Sequence, residues 1–456
     1  MKKLFLVLCM LVIGGMALAA CQPAAPTATE APAATQAPAN TQAPAATEVP
    51  TIPALSGTVR VGSWDGADGL IPWNDAITSF EVAYPGVKVQ LESVPQGYGD
   101  KLLAEFASGT APDVFQVGDG DVAKFAAQGV FEPLDPYISG EKGSVPLDTS
   151  VFYPAIANVG KVDGTTYLFT KDYSPLTVYY NKDLFDAAGV AYPTEGWTQA
   201  DFLDAAQKLT VKDASGNITQ WGAMIPDGWG DWVWDRGILP IIYQYGGDIM
   251  SPDGKKASGY LDSDATVAAL QWYTDLFTKY KVAPTKADVA ALSGQDLFAT
   301  GKVAMMWSGV WNIGGYQKNN PDLHFGMAGL PQGKQPGNSI CWAGFALYNK
   351  SQNKDAAWAF LRWIGADKGA EEFAKYALTD VKSIAEAQGK ATDPTYAPIM
   401  ADLANVQPLP DFRTVKYGDC VVTPFHAALE DYFANGGDLK TIMTKVAADA
   451  DACLAK

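Results

Sequence analysis

Between Thr58 and Val117 strand-like and helix-like segments alternate, and this alternation restricts the fold more than any other feature of the chain. Thr58-Val59-Arg60-Val61-Gly62 is a short β run that breaks at Ser63-Trp64-Asp65-Gly66. A helix-like stretch follows from Trp73 to Tyr84 until Pro85-Gly86 stops it. Val87 to Leu91 alternates at period two, and Tyr98 to Ser108 carries Leu102, Leu103 and Phe106 at helical spacing. Pro112 to Val117 then reads as a third strand ending on Gly118-Asp119-Gly120-Asp121. Strands joined through helices pair in parallel, so the fold class is α/β. In such sheets ligands sit beyond the carboxyl ends of the strands, which points to Trp64, Asp65, Asp119 and Asp121. Helix capping is the competing role for Asp65 and Asp121.

The first residues cannot belong to that sheet. Lys2 and Lys3 precede an apolar run from Leu4 to Met16, and small residues lead to Cys21, which reads as a signal peptide over residues 1–20. Leu18-Ala19-Ala20-Cys21 matches the bacterial lipobox, so Cys21 is expected to become a lipidated amino terminus. The run is too short to span a bilayer, which takes ~20 residues, so the expectation is a lipid anchor at the cell surface or in the periplasm. Residues 21–54 are almost wholly Ala, Pro, Thr, Gln and Glu, a composition suited to an extended tether and not to a core.

About four hundred residues remain, more than one hydrophobic core usually holds, so two domains are expected. The net charge of −17, which removal of Lys2 and Lys3 takes to −19, argues against nucleic acid and large anionic partners. A neutral or cationic ligand fits better. Outside the leader and Cys21, the cysteines are Cys341, Cys420 and Cys453. Cys420 and Cys453 flank two helical stretches, Pro424 to Ala434 and Leu439 to Ala452, separated by Asn435-Gly436-Gly437. An antiparallel helix pair brings its outer ends together, so a Cys420–Cys453 disulfide is expected, with Cys341 left as a buried thiol.

Phe80 to Val89 (FEVAYPGVKV), Ser108 to Val114 (SGTAPDV) and Phe125 to Ile138 (FAAQGVFEPLDPYI) resemble the amino-terminal lobe of extracellular solute-binding protein family 1, to which maltose-binding protein belongs. Val178 to Val190 (VYYNKDLFDAAGV), Gly196-Trp197-Thr198, Phe202 to Thr210 (FLDAAQKLT), Phe298 to Trp311 (FATGKVAMMWSGVW) and Gly344 to Ile364 resemble further family blocks in the expected order. The resemblance implies a periplasmic-binding-protein-like fold of type II: two discontinuous α/β lobes joined by a hinge. Lobe I would hold 55–172 plus 331–380 and lobe II 173–330 plus 381–456. Crossings are expected near Lys171 to Leu176, Met327 to Pro331 and Ala377 to Ile384. It also implies the partners of such a receptor: a small carbohydrate and ABC permease subunits, with the chain itself a monomer.

Handles for catalysis are scarce. His324 and His426 lack metal-like spacing, and no P-loop, dinucleotide fingerprint or nucleophile elbow is present, so no metal, no cofactor and no enzyme activity are expected. Tryptophan usage is the positive signal. Trp229, Trp232 and Trp234 lie in the glycine-rich stretch Gly228 to Asp235. Indole rings stack on the apolar faces of sugars while neighbouring carboxylates accept their hydroxyls. Trp311, after the turn Ser308-Gly309, is the better ligand candidate than Trp307, which ends an apolar run. Tyr173 at the first crossing, Trp342 and Gly344 before a strand, and Arg413 and Tyr417 in the tail complete the candidates, with packing or a surface salt bridge as their competing roles. The reading is therefore a sugar-binding receptor. A binding protein for a polyamine or other cation, and a secreted glycan hydrolase with paired carboxylates, are the alternatives.

Overall fold

The chain divides into two units, Met1–Thr51 and Ile52–Lys456. A computed structural model describes residues 55–67, 69–225, 235–292, 295–407, 409–410 and 413–456. Cys21, Trp229, Trp232 and Trp234 lie outside the described residues.

Two five-stranded sheets organise these residues. In the first, β1 (Gly57–Ser63) is flanked by β2 (Val87–Ser93) and β3 (Val114–Gly118), both parallel to it. β4 (Leu168–Pro175) reaches this sheet through β10 (Ile340–Leu347), which runs antiparallel to both β3 and β4. The second sheet holds β5 (Thr177–Asn181), β6 (Val211–Lys212), β7 (Ile218–Met224), β8 (Val303–Ser308) and β9 (Phe325–Ala328), in the order β9-β5-β8-β7-β6. β5, β8 and β10 are buried along their whole length, because helices cover both faces.

Local sequence explains the covering helices. The helix Leu70–Ala83 buries Pro72, Trp73, Ala76 and Phe80, one face at spacings of three and four. Trp73 meets Phe345 and Phe373 edge-on at 5.1 Å each, and burial of side chains this large is worth about 2–3 kcal/mol apiece. The helix Gln199–Leu209 begins with a Thr198–Asp201 capping box, which satisfies backbone donors that a helix start leaves open. In the tail, Cys420 and Cys453 form a disulfide, and Cys341 is a buried free thiol. The helices Thr423–Asn435 and Leu439–Leu454 pack on the helix Asp264–Thr278, with Phe433 edge-on to Phe277 at 5.2 Å.

Passage from the first sheet to the second is abrupt. Only Leu176 separates β4 from β5. Both of its backbone groups are held by one side chain: Leu176 N donates to Asn338 Oδ1 (3.2 Å) and Asn338 Nδ2 donates to Leu176 O (2.8 Å). Asn338 lies on the passage from β9 back to β10, and its Nδ2 also donates to Asp402 Oδ2 at 2.5 Å. Its backbone exchanges hydrogen bonds with Asn405 O and Gln407 N. Three segments distant in sequence are thus tied at one completely buried amide. The tail arrives there after the helix Lys382–Ala387, which follows the first-sheet helix Ala370–Ala374, and the helix Ala397–Asp402, which contacts both β9 and β4.

Candidate functional site

The carboxyl ends of β1 and β3 and the middle of β4 converge on a polar group. Asp65 Oδ2 accepts from Trp73 Nε1 (2.7 Å), Lys171 Nζ (3.0 Å) and Ser63 Oγ (3.1 Å). Gln116, fully buried on β3, donates to Ser63 Oγ (2.7 Å), and its oxygen accepts from Lys171 Nζ (3.0 Å) and Trp64 Nε1 (3.3 Å). Trp64 is half-buried and stands edge-on to Tyr98, centroids 5.6 Å apart. Asp65 makes no cap on the helix that follows; its carboxylate is engaged by the lysine and the indole.

Lys171 and Asp172 are consecutive strand residues, and such residues ordinarily point to opposite faces. Here Lys171 Nζ lies 3.3 Å from Asp172 Oδ2. The reason is a register shift: Asp172 pairs with Ala343 and Thr170 with Gly344, which leaves Lys171 as an extra residue bulged out of the ladder. A Cβ at Gly344 would come within 2.5 Å of Leu168 Cδ1 and 2.9 Å of Phe169 O, so glycine lets β10 lie this close to β4 next to the bulge. Burial works against the Lys171 ammonium, but Asp172 and Asp65 outweigh it and hold its pKa above the ordinary lysine value. Burial pushes the Asp172 carboxyl up despite the lysine beside it.

Around this group, Asp119 and Asp121 are half-buried past the end of β3. Asp121 stands at the N-cap of the helix Val122–Ala127 but makes no side-chain cap, and burial raises its carboxyl against the pull of Lys124. Tyr173 is buried opposite Trp342 and bridged to Leu378; burial first, and then Asp380, raise its phenol. Trp342 and Gly344 lie inside the sheet.

From the second sheet, the turn after β8 reaches toward the crossing strand. Val310 N donates to Ser174 Oγ (3.1 Å) and Tyr179 Oη to Gly309 O (2.6 Å). Trp307 is completely buried against Phe202, whereas Trp311 is 41% exposed and lays its ring across Gly309, where a Cβ would come within 2.0 Å of it. One turn on, the half-exposed ring of Tyr376, which follows the first-sheet helix Ala370–Ala374, covers Gly314 of the helix Asn312–Asn319. Arg413 is elsewhere: its guanidinium pairs with Asp248 (2.8 Å) and donates to Met250 O, and Tyr417 is buried. Among the described residues no cluster of His, Cys, Asp or Glu has the makings of a metal site, and no helix is long and apolar enough to cross a membrane.

Of the residues expected from sequence, Trp64 and Asp65 belong to this polar group and Trp311 is the exposed ring over Gly309, while Gln116, Lys171, Asp172 and Tyr376, which share these surroundings, were not among the candidates. Lys171-Asp172 was visible only as the edge of a crossing, since a bulge leaves no periodic signature.

The family model for bacterial extracellular solute-binding proteins matches residues 28–371. The chain belongs to that family. A putative binding protein of Brucella abortus is 26% identical to this solute-binding protein over 386 residues, covering 83% of this chain and 88% of its own. The maltotriose-binding protein of Pyrococcus abyssi is 26% identical over 288 residues, 61% of this chain and 56% of its own. An ABC substrate-binding protein of Listeria monocytogenes, solved in complex with cycloalternan, superposes with a TM-score of 0.73 at 25% identity, covering 87% of this chain and 98% of that one. Solved neighbours of this kind are type II periplasmic binding proteins of two lobes, and the mixed α/β fold described above is of that architecture.

Proposed function

We propose that this solute-binding protein captures an uncharged, hydroxyl-rich ligand, a mono- or oligosaccharide, in a cleft between two lobes and delivers it unaltered to ABC permease subunits. The lobes are 55–172 plus 331–380 and 173–330 plus 381–456, hinged where Leu176, Asn338 and Asp402 meet. Cys21, once lipidated, anchors the exported monomer to the membrane, and residues up to 54 act as its tether.

One observation carries the reading. An exposed indole, Trp311, is fixed over Gly309 beside the crossing strand, while Asp65, Asp119 and Asp121 follow the carboxyl ends of β1 and β3. A flat apolar face and a set of acceptors are what a sugar ring with its hydroxyls requires. Trp64, Asp119 and Asp121 are the further contacts that suit this role from the first sheet; Trp229 and Trp232 are proposed from sequence alone. The excess of carboxylates also favours a second reading, a polyamine or similar cation held by cation–π contact.

A thermal-shift screen of maltotriose, mannobiose and tagatose against spermidine separates the two. The account expects a saccharide to raise the melting temperature and spermidine not to; the reverse would replace the sugar reading with the cationic one. Release of new reducing ends from a bound oligosaccharide would replace the receptor reading with a hydrolase. Trp311→Ala is expected to weaken saccharide binding about tenfold, roughly 1–1.5 kcal/mol of lost stacking, with the melting temperature of the free protein unchanged because the ring is not part of the core.

A further inference from the structure

The bulge at Lys171 bears on which ligands this cleft accepts. Without it, Asp172 would face away from the lysine and from Asp65; with it, three charged groups share one small site at the ends of β1 and β3. Lys171 is the cation of the group, and its ammonium is occupied by Asp65, Asp172 and the Gln116 oxygen. Asp65 Oδ2 is taken by Trp73, Ser63 and the lysine, Oδ1 shares the lysine, and 13% of the side chain is exposed. Asp172 is less enclosed, at 22%, and holds one side-chain partner, the lysine, together with the backbone of Ala343. A carboxylate offers about four lone-pair sites, so Asp172, with fewer donors on it and more exposure than Asp65, has the greater room to accept from a ligand. The group carries one net negative charge, and Asp119 and Asp121 nearby add to it. An anion brought into this enclosed site would meet like charge in a medium that screens poorly.

Resting on the saccharide reading above, we propose that Asp172 is a ligand-contacting acceptor and that the Asp65–Lys171–Asp172 group selects uncharged polyols over phosphate esters. Lys171 holds the Asp172 carboxylate in place, and Gly344 lets β10 lie close to β4 next to the bulge.

The full chain is titrated calorimetrically with maltotriose, mannobiose, tagatose, spermidine and sn-glycerol 3-phosphate, as wild type, Asp172→Asn and Asp172→Ala. The asparagine variant keeps the shape of the side chain and serves where alanine disturbs folding, and melting temperatures are recorded for each. The wild type is expected to bind a saccharide at least a hundredfold more tightly than sn-glycerol 3-phosphate. Asp172→Asn is expected to lose at least tenfold of the saccharide affinity at an unchanged melting temperature. Equal saccharide affinity in wild type and Asp172→Asn would overturn the contact, and comparable binding of sn-glycerol 3-phosphate by the wild type would overturn the selectivity. Should spermidine be the probe that binds, with Asp172→Asn abolishing it, the saccharide reading falls while Asp172 stands as the contact. Binding of no probe by the wild type would remove both.

Discussion

Asn338→Ala is expected to lower the free energy of unfolding by about 3–5 kcal/mol. The side chain is completely buried and makes bonds of two kinds. Its amide oxygen accepts from Leu176 N (3.2 Å) and Ser339 N (2.8 Å), and its nitrogen donates to Leu176 O (2.8 Å) and Asp402 Oδ2 (2.5 Å). Alanine removes all four at once, leaving the one residue between β4 and β5 with its carbonyl unpaired. Each buried group left without a partner costs about 1–3 kcal/mol. Asp402, already raised by burial and steadied by Asn405 and Asn338, would keep only Asn405 as a side-chain partner. Urea denaturation of wild type and variant checks this. A loss under about 1 kcal/mol would mean that the three passages are held together by something other than this amide.

At pH 8, Asp380→Asn is expected to be more stable than the wild type by on the order of 2 kcal/mol, and the advantage should vanish toward pH 4. Asp380 is 2% exposed, on the segment that runs between Leu378, bridged to Tyr173, and Val381, bridged to Phe152. Asp380 Oδ1 lacks a hydrogen-bond partner among the described residues. Burial pushes the carboxyl up to about 7, with only weak opposition from its own backbone and Thr170. In the unfolded chain an aspartate titrates near pH ~3.9, so between about pH 4 and 7 the folded state binds the extra proton. Raising the pH through that window therefore costs stability, and the deficit is complete above the folded pKa. Asparagine keeps the shape without the charge and should flatten this slope. Melting temperatures from pH 4 to 8 that run parallel in wild type and variant would contradict the assignment.

These two residues mark where sequence reading stops. The strand–helix alternation from Thr58 to Val117 was legible because each element carries its own period, and the parallel pairing of β1 with β2 and β3 follows from it. Trp311 stood out from Trp307 for a similar local reason: one follows a turn and the other closes an apolar run, and the structure exposes the first and buries the second. By contrast, the bond between Leu176 and Asn338 joins residues 162 positions apart, and nothing near either one announces it. The insertion of β10 between β3 and β4 is equally silent, since pairing partners so distant leave no local pattern. The bulge at Lys171 hides for a different reason. A charged pair beside a crossing reads as solvated, and its strand partners, Ala343 and Gly344, come more than 170 positions later. Trp342 and Gly344, expected at a ligand-facing edge, lie inside that sheet, and Arg413 is held by Asp248.

Small-angle scattering of the full chain, with and without the saccharide that the thermal-shift screen selects, reads the central claim in one observable. If two lobes hinged at Leu176 and Asn338 close on a sugar without altering it, the radius of gyration falls at saturation and the sugar is recovered intact. An unchanged scattering profile at saturation, or a cleaved sugar, would contradict the account.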